Sequence, residues 1–304
     1  MASVQCHNPC VLCNSQQAIH LINYAVRGQA RALVRCRGCG LVRADPLPTQ
    51  ADATAFHDTG EWWFELDESR IPVFDEVLDV VCRYRTSGRF LDVGCGAGTL
   101  LARARSRGFD PLGVELSGDA CRRARERYGI DARHGSVRQQ QFADHRFQVI
   151  TALEMIDYPD NSIEELSEYR RILVKDGVLV LASRCNRWSW VFGACNAVHC
   201  LARGKPLSVG DSVLSHFLGS WGTFTASYQL TSRTLQFLLN RAGWSIRELR
   251  NQRTGWSGPQ NTGLSAALFS AYRAGCNAFE RLTLGRCSFG PKIIVAARPM
   301  GRTD

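Results

Sequence analysis

The segment GRFLDVGCGAGT, residues 88–99, decides the fold of this chain. A short apolar strand runs directly into a Gly-x-Gly-x-Gly loop, and an amphipathic helix follows from Leu100 to Arg107. Glycines in such a loop let the backbone approach a ligand where a Cβ atom would stand in the way. Gly-rich loops also occur in Rossmann dehydrogenases and by chance. The ligand of this loop therefore has to be inferred from the segments around it.

The segments that follow repeat the alternation of strand and helix. A second strand at 111–115 ends in Glu115, 17 residues after Gly98, and an acid in this place can hydrogen-bond both hydroxyls of a ribose. The next predicted elements are a helix at 117–128, strands at 130–134 and 147–153, a helix at 162–173 and a strand at 178–183. This order predicts a parallel, doubly wound α/β sheet.

Four stretches together resemble the class I S-adenosylmethionine-dependent methyltransferases. They are LDVGCGAG (91–98), GVELS (113–117), LEMIDYPDN (153–161) and RRILVKDGVLVLAS (170–183). The whole chain is similar to the subgroup with an N-terminal zinc-binding segment, in which the cysteine pairs end in CGLV (39–42) before a Pro-rich turn (46–48). The resemblance implies a Rossmann-like, seven-stranded sheet with an antiparallel pair at one end.

The resemblance also implies a set of cofactor-binding residues. Glu115 would hold the ribose of S-adenosylmethionine, and Asp92 would anchor the glycine loop or reach the amine; a loop-capping carboxylate that never touches ligand is the alternative for Asp92. The remaining implied contacts are Gly94, Gly96 and Gly98 at the amino-acid part, Leu116, Ser136 and Val137 at the adenine, and Leu153 with Glu154 at the methionine end.

The catalytic residues are the least typical part of the pattern. Relatives often carry a histidine after the fourth strand, and here that place is Tyr158. We therefore expect Glu154, Asp157 and Tyr158 at the methyl-transfer site, where a carboxylate pair could remove a proton or bind a divalent ion. The alternative for Asp157 is that it only favours the N-terminus of the next helix.

A separate cluster of cysteines precedes the sheet. Cys10 with Cys13 and Cys36 with Cys39 form two CxxC pairs with 22 residues between them, a spacing that suits a closed, structural zinc ribbon. A redox pair or two disulfides are the alternatives. The chain has 13 cysteines, an odd number that cannot pair completely, and no signal peptide pattern. We therefore predict a cytoplasmic protein with reduced thiols.

Two apolar insertions lie outside the minimal fold, at about 186–230 and 251–289, the second with a long helix from Leu264 to Leu284. Because the first follows the fifth strand, on the ligand side of the sheet, we interpret both as a helical lid over an apolar or amphipathic substrate. A homodimer interface and peripheral membrane contact are the alternatives. The sequence contains no uninterrupted apolar run of about 18 residues, so we predict no transmembrane helix.

Length and charge complete the prediction. The 304 residues suit a zinc ribbon at 1–48 and a methyltransferase domain at 49–304. The net charge of +9 is interpreted as a solvated, Arg-rich surface, because no long basic run stands out.

We predict an enzyme that methylates a small molecule, such as a secondary metabolite, nucleotide sugar or lipid-like precursor, at carbon or oxygen rather than nitrogen. The alternatives are an RNA methyltransferase that grips RNA with the ribbon, and a protein of this fold that has lost methyl transfer.

Overall fold

A computed structural model of the chain describes residues 3–26, 29–49, 70–156, 162–184, 228–254, 271, 274–278, 280–282 and 292–301. Within them the chain forms two sheets, one of five strands and one of seven. In the part of the chain that is described, no helix is both long enough and apolar enough to cross a membrane.

The larger sheet is the predicted doubly wound α/β sheet. Its strands are β5 (Gly88–Val93), β6 (Phe109–Glu115), β7 (Ala132–His134), β8 (Phe147–Leu153), β9 (Leu173–Arg184), β11 (Trp244–Asn251) and β12 (Lys292–Pro299). They lie in the order β11-β12-β9-β8-β5-β6-β7. The pairs among β5 to β9 are parallel, whereas β12 pairs antiparallel with both β9 and β11. This confirms the seven-stranded fold and its antiparallel end.

Helices cover both faces of this sheet. α4 (Ser162–Ile172) and α5 (Ser232–Arg241) pack on one face, in a core that includes Leu91, Ile150 and Leu181. α1 (Ile71–Cys82), α2 (Thr99–Ser106) and α3 (Gly118–Tyr128) pack on the other face, in a core that includes Phe90, Val149 and Val180. The strands are apolar on both faces because both faces are buried, as expected for a parallel sheet.

The smaller sheet contains the N-terminal cysteines. Its strands are β1 (Ser3–Gln5), β2 (Gln17–Val26), β3 (Gln29–Cys36), β4 (Val42–Asp45) and β10 (Tyr228–Gln229), and every pairing is antiparallel. β10 comes from the C-terminal half of the chain and pairs with β4. The division at residue 48 stays a prediction, but the two parts share a sheet.

The two parts also share a core. Cys10, Leu12, Cys36 and Leu41 are buried in the same apolar cluster as Leu238 of α5 and Trp244 of β11. The guanidinium of Arg241, the last residue of α5, donates a hydrogen bond to the carbonyl of Leu12. The cysteine end of the small sheet is therefore packed directly against the methyltransferase-like part.

The structure corrects the boundary between the predicted helix at 162–173 and the predicted strand at 178–183. The helix ends at Ile172, and β9 begins at once at Leu173, so residues 173–177 belong to the strand. Phe147 of β8 faces Leu173 and Val149 faces Val178, so β9 carries three more residues than β8 between these pairs and bulges there. Gly177 thus lies in a bulge, a common place for Gly in a strand.

The predicted lid lies mostly outside the described residues. Of the first insertion the structure describes only 228–230, where Tyr228–Gln229 form β10. Of the second it describes 251–254, 271, 274–278 and 280–282, and the last two stretches are helical as predicted. Whether these insertions cover a substrate stays a prediction.

Candidate functional site

The four predicted metal ligands lie together in the small sheet. The sulfurs of Cys10, Cys13, Cys36 and Cys39 are all within 4.8 Å of one another. The Cys10 and Cys39 sulfurs are 3.5 Å apart and those of Cys13 and Cys36 are 3.4 Å apart, whereas a disulfide needs about 2.05 Å. Four thiolates around zinc at about 2.3 Å leave roughly 3.8 Å between sulfurs, so this donor set fits a tetrahedral zinc ion.

Hydrogen bonding and burial shift thiols of this cluster in opposite directions. A hydrogen bond from the Cys39 thiol lowers the pKa of Cys10 to about 5, the same bond raises the pKa of Cys39, and burial raises the pKa of Cys13. A bound cation would stabilise the thiolate forms. Among the described residues no second group of three or more ligand side chains occurs. A second, catalytic ion stays a prediction because Asp157 lies outside those residues.

The predicted cofactor loop joins β5 to α2 at the carboxyl edge of the large sheet. Gly94, Gly96 and Gly98 all have positive φ, at 73°, 53° and 85°. A Cβ atom on Gly96 would meet nothing within 4 Å, so this part of the loop borders open space. A Cβ on Gly94 would overlap the Met155 side chain, and one on Gly98 would lie 2.9 Å from the Ala124 Cβ of α3. The loop is thus open at its middle and closely packed at its ends.

Glu115 bridges this loop and the next. Its carboxylate accepts hydrogen bonds from the backbone N–H of Gly96 and of Ser117, each at 3.0 Å. The residue ends β6 at the carboxyl edge and is mostly buried, at 9% exposed. Parallel sheets bind ligands where the strand order reverses, and here that point lies between β5 and β8. A carboxylate held between two loops beside this point suits a ribose.

Asp92 is buried below the loop. It is 3% exposed and accepts a hydrogen bond of 2.6 Å from the Thr151 hydroxyl of β8. Cys95, within the loop, is also buried, and burial raises the pKa of its thiol well above the ordinary value. Cys95 is therefore a neutral core residue, and Asp92 joins the two strands that flank the switch point.

The residues predicted near an adenine lie at the ends of β6 and β7. The carbonyl of Leu116 is 2.9 Å from the His134 ring nitrogen Nε2. Ser136 caps a short turn, with its N–H donating to the Gln139 side chain at 2.7 Å, and Val137 is buried. Glu115 pairs with His134 in the sheet, so these predicted residues share one edge.

Glu154 follows β8 directly and has an unusual conformation. Its φ is 60°, in the left-handed region that residues other than Gly rarely adopt. Its N–H donates to the Ala182 carbonyl at 2.7 Å, and its carboxylate lies 2.5 Å from the Lys292 ammonium. Leu153, before it, is partly buried against the core. The other two predicted catalytic residues, Asp157 and Tyr158, lie outside the described residues.

Three side chains at this edge were not predicted. Met155 packs over Gly94, Thr151 bonds Asp92, and Lys292 pairs with Glu154. Met155 is adjacent to a predicted residue, and Thr151 lies in a strand that was predicted correctly. Lys292 carries no sequence signal, since it is the first residue of the last strand and lies in no motif.

The arginines of the helices are paired with acids. Arg103 and Arg107 contact Asp75, and Arg122 and Arg123 contact Asp119. Two acids shared by four arginines offset part of the positive charge on α2 and α3. The arrangement supports the interpretation of a solvated, Arg-rich surface over a continuous basic patch.

Comparisons with known proteins identify the family. The family described as methyltransferase domain matches residues 66–249. A ubiquinone biosynthesis O-methyltransferase of Paraburkholderia phymatum is 28% identical over 211 residues, 61% of this chain and 86% of that protein. Proteins of the same name in Nitrosomonas europaea and Alkalilimnicola ehrlichii are 25% and 31% identical, and the matches span 65% and 49% of those proteins.

Solved structures show the same fold. A methyltransferase of Haloferax volcanii, solved in complex with the Trm112 methyltransferase activator, superimposes with a TM-score of 0.56 at 14% identity, over 83% of this chain and 97% of that one. An S-adenosylmethionine-dependent methyltransferase of Thermotoga maritima gives 0.51 at 15% identity, over 81% and 97%. Because these sequence identities are only 14% and 15%, the superpositions show a shared fold and no more.

Proposed function

The chain belongs to the methyltransferase domain family, and we propose that it transfers the methyl group of S-adenosylmethionine to a hydroxyl group on a small, apolar or amphipathic molecule. The observation that carries the proposal is the site itself: an open glycine loop and the Glu115 carboxylate lie at the switch point, beside a carboxylate at the end of β8. The name of the relatives supports oxygen as the acceptor atom.

In this proposal the cofactor is held by the loop and by two acids. Gly96, beside open space, lets the amino-acid part approach the backbone, Gly94 and Gly98 hold the loop in its positive-φ conformation, and Glu115 accepts hydrogen bonds from the ribose hydroxyls. Asp92 keeps the loop in register with β8 through Thr151. Leu116, Ser136 and Val137 border the adenine, and Leu153 borders the methionine end.

The acceptor chemistry requires little besides alignment and one proton transfer. When bound, S-adenosylmethionine supplies a methyl carbon on a sulfonium, which an acceptor oxygen attacks while sulfur keeps the electron pair of the broken C–S bond. Holding both groups in line supplies much of the rate enhancement. Glu154, the carboxylate that follows β8, is the proposed acceptor of the hydroxyl proton, and Asp157 and Tyr158 are the neighbouring candidates to orient the acceptor.

The test is transfer of a labelled methyl group. Purified protein with methyl-tritiated S-adenosylmethionine should label members of a panel of small hydroxylated aromatics with and without an alkyl tail, here catechol, caffeate and octylcatechol. Glu154→Gln should lower turnover by about 10²–10⁴-fold, the range for loss of a general base. The matched control is Glu164→Gln, an exposed acid of α4 that pairs with Arg138 on the surface.

The outcome has two parts. Labelling of no panel member would contradict hydroxyl transfer to this class of acceptor. Labelling that is equal in Glu154→Gln and Glu164→Gln would contradict the role of Glu154 and leave alignment alone as the source of catalysis.

A further inference from the structure

The last strand brings a lysine to the edge of the sheet where methyl transfer is proposed. β12 runs antiparallel to β9, and Lys292 at its start faces Arg184 at the end of β9. Leu153 at the end of β8 faces Ala182 of the same strand. Lys292 and Glu154 therefore lie at the carboxyl edge of the parallel strands, on opposite sides of β9.

Their side chains meet across the end of β9. The ammonium nitrogen of Lys292 is 2.5 Å from Oε1 of Glu154, and the two side chains are 22% and 17% exposed. Charges that are mostly removed from water attract each other more strongly than a surface pair and are less screened by salt. The ion pair therefore joins the end of β8 to the start of β12, two strands that are not hydrogen-bonded to each other.

The backbone on each side of the pair is also held. Glu154 adopts its left-handed φ of 60° with its N–H bonded to Ala182. The carbonyl of Lys292 accepts a hydrogen bond of 2.9 Å from the N–H of Gln252, a residue that is 1% exposed. Strained conformations that are held from several sides concentrate at functional sites. The pair has the rigidity expected of a group that must be placed accurately.

We propose that Lys292 is a positioning residue, which holds the Glu154 carboxylate over the end of β9 so that it faces the acceptor hydroxyl. The proposal rests on the proposed function, in which the hydroxyl proton moves to the Glu154 carboxylate. Lys292 gains and loses no proton in that step. It acts by keeping the carboxylate in one orientation and by balancing its charge while the acceptor is absent.

The same ammonium offsets the attraction that the Glu154 carboxylate alone would exert on a protonated amine, because the two charges of the pair are opposite and close together. An amine therefore gains little from this edge by charge. An amine is included in the experiment beside the hydroxyl compounds to test the acceptor class of the proposed function.

The experiment compares Lys292→Met, Lys292→Arg, Glu154→Gln and the double variant Lys292→Met with Glu154→Gln. Probes are methyl-tritiated S-adenosylmethionine with catechol and octylcatechol, and tyramine methyl ether as the amine. Lys292→Met should lower kcat by about tenfold or more, with the acceptor KM changed less and cofactor affinity within about twofold, because only the proton acceptor is misplaced. Lys292→Arg should recover most of kcat. The double variant should be about as slow as Glu154→Gln, since residues that act together are not additive.

Lys175→Met is the control, because Lys175 is an exposed lysine of β9 outside the site. Lys292→Gln is measured as well, so that the comparison stands where Lys292→Met yields little folded protein. Normal kcat in both Lys292→Met and Lys292→Gln, or fully multiplicative losses in the double variant, would overturn the role of Lys292 while the proposed function stands. A wild-type protein that labels the amine and no hydroxyl compound would overturn both.

Discussion

At the scale of single residues, Glu76 of α1 shows how one buried carboxylate secures the end of a strand. It is 7% exposed and accepts hydrogen bonds from the Arg250 guanidinium at 3.0 Å, from the N–H groups of Arg253 and Thr254 at 2.9 Å, and from the Thr254 hydroxyl at 2.7 Å. These donors lie at and just after the end of β11. A carboxylate satisfied by so many donors tolerates burial.

Removing this carboxylate should be costly. Glu76→Ala leaves Arg250 and two backbone N–H groups without their acceptor, so we expect the free energy of unfolding to fall by about 3–5 kcal/mol. Asp79→Ala, on the same helix, removes an acid that is 63% exposed and should cost less than about 1 kcal/mol. Urea denaturation of both variants measures the difference. Equal losses would mean that the Glu76 contacts contribute no more than a surface ion pair.

The residues that could be predicted are those with local signals. The cysteines and Glu115 have characteristic neighbours in the sequence, and each lies where the pattern put it at the level of the strand or turn. Lys292 and Glu76 act through partners 138 and 174 residues away in the chain, and no local pattern reports such contacts. The left-handed conformation of Glu154 could not be predicted for the same reason, because contacts with Ala182 and Lys292, both distant in the chain, stabilise it.

At the scale of elements, two glycines with similar backbone conformations have different surroundings. Gly98 precedes α2 with φ at 85°, and a Cβ there would lie 2.9 Å from Ala124 of α3. Gly129 ends α3 with φ at 59°, and a Cβ there would meet nothing within 4 Å. One glycine is required for conformation and close packing, the other for conformation alone.

Alanine at these two positions should separate the effects. Gly129→Ala should lower the free energy of unfolding by about 1–2 kcal/mol, the cost of a left-handed conformation for a residue with a Cβ. Gly98→Ala adds a steric overlap between α2 and α3, so its loss should be larger by about 1–3 kcal/mol. Thermal unfolding of the two variants measures this. A smaller loss for Gly98→Ala would show that α2 and α3 are packed less closely at this point.

Periodicity predicted most elements because each strand and helix of this fold carries its own apolar pattern. The strand at 147–153 matches the structure, and the helix predicted at 162–173 ends one residue earlier, at Ile172. β9 was predicted too short because Lys175-Asp176-Gly177 reads as a turn, whereas pairing with β8 and β12 carries the strand past it. Tertiary pairing overrode local propensity there.

At the scale of the whole molecule, the cysteine cluster is part of the main core. β10 pairs with β4, and Cys10, Cys36 and Leu12 pack in one cluster with α5. The ribbon predicted at 1–48 stays a prediction, and its packing against α5 has no sequence signal because the cysteines are far from the large sheet in the chain. The strand that connects the two parts is two residues long, too short to produce a pattern.

Metal removal should therefore also destabilise α5, which lies outside the small sheet. The purified protein should contain about one zinc per chain, and a chelator should destabilise the small sheet because structural zinc contributes folding energy. Since Arg241 bonds the Leu12 carbonyl, backbone amides of α5 should exchange with deuterium faster after chelation, while those of α3, on the opposite face, should change little. Unchanged exchange in α5, or absence of metal with four freely titrating thiols, would contradict this coupling.

The proposed function depends on S-adenosylmethionine binding to the glycine loop after β5 and to Glu115 at the end of β6. Titration calorimetry with wild type, Glu115→Gln and the exposed control Glu126→Gln measures this binding. Wild type and the control should bind with equal affinity, and Glu115→Gln should lose about 1–3 kcal/mol, because the ribose hydroxyls lose their charged acceptor. Absence of binding to wild type, or equal affinity for Glu115→Gln, would show that the cofactor is not held in this place.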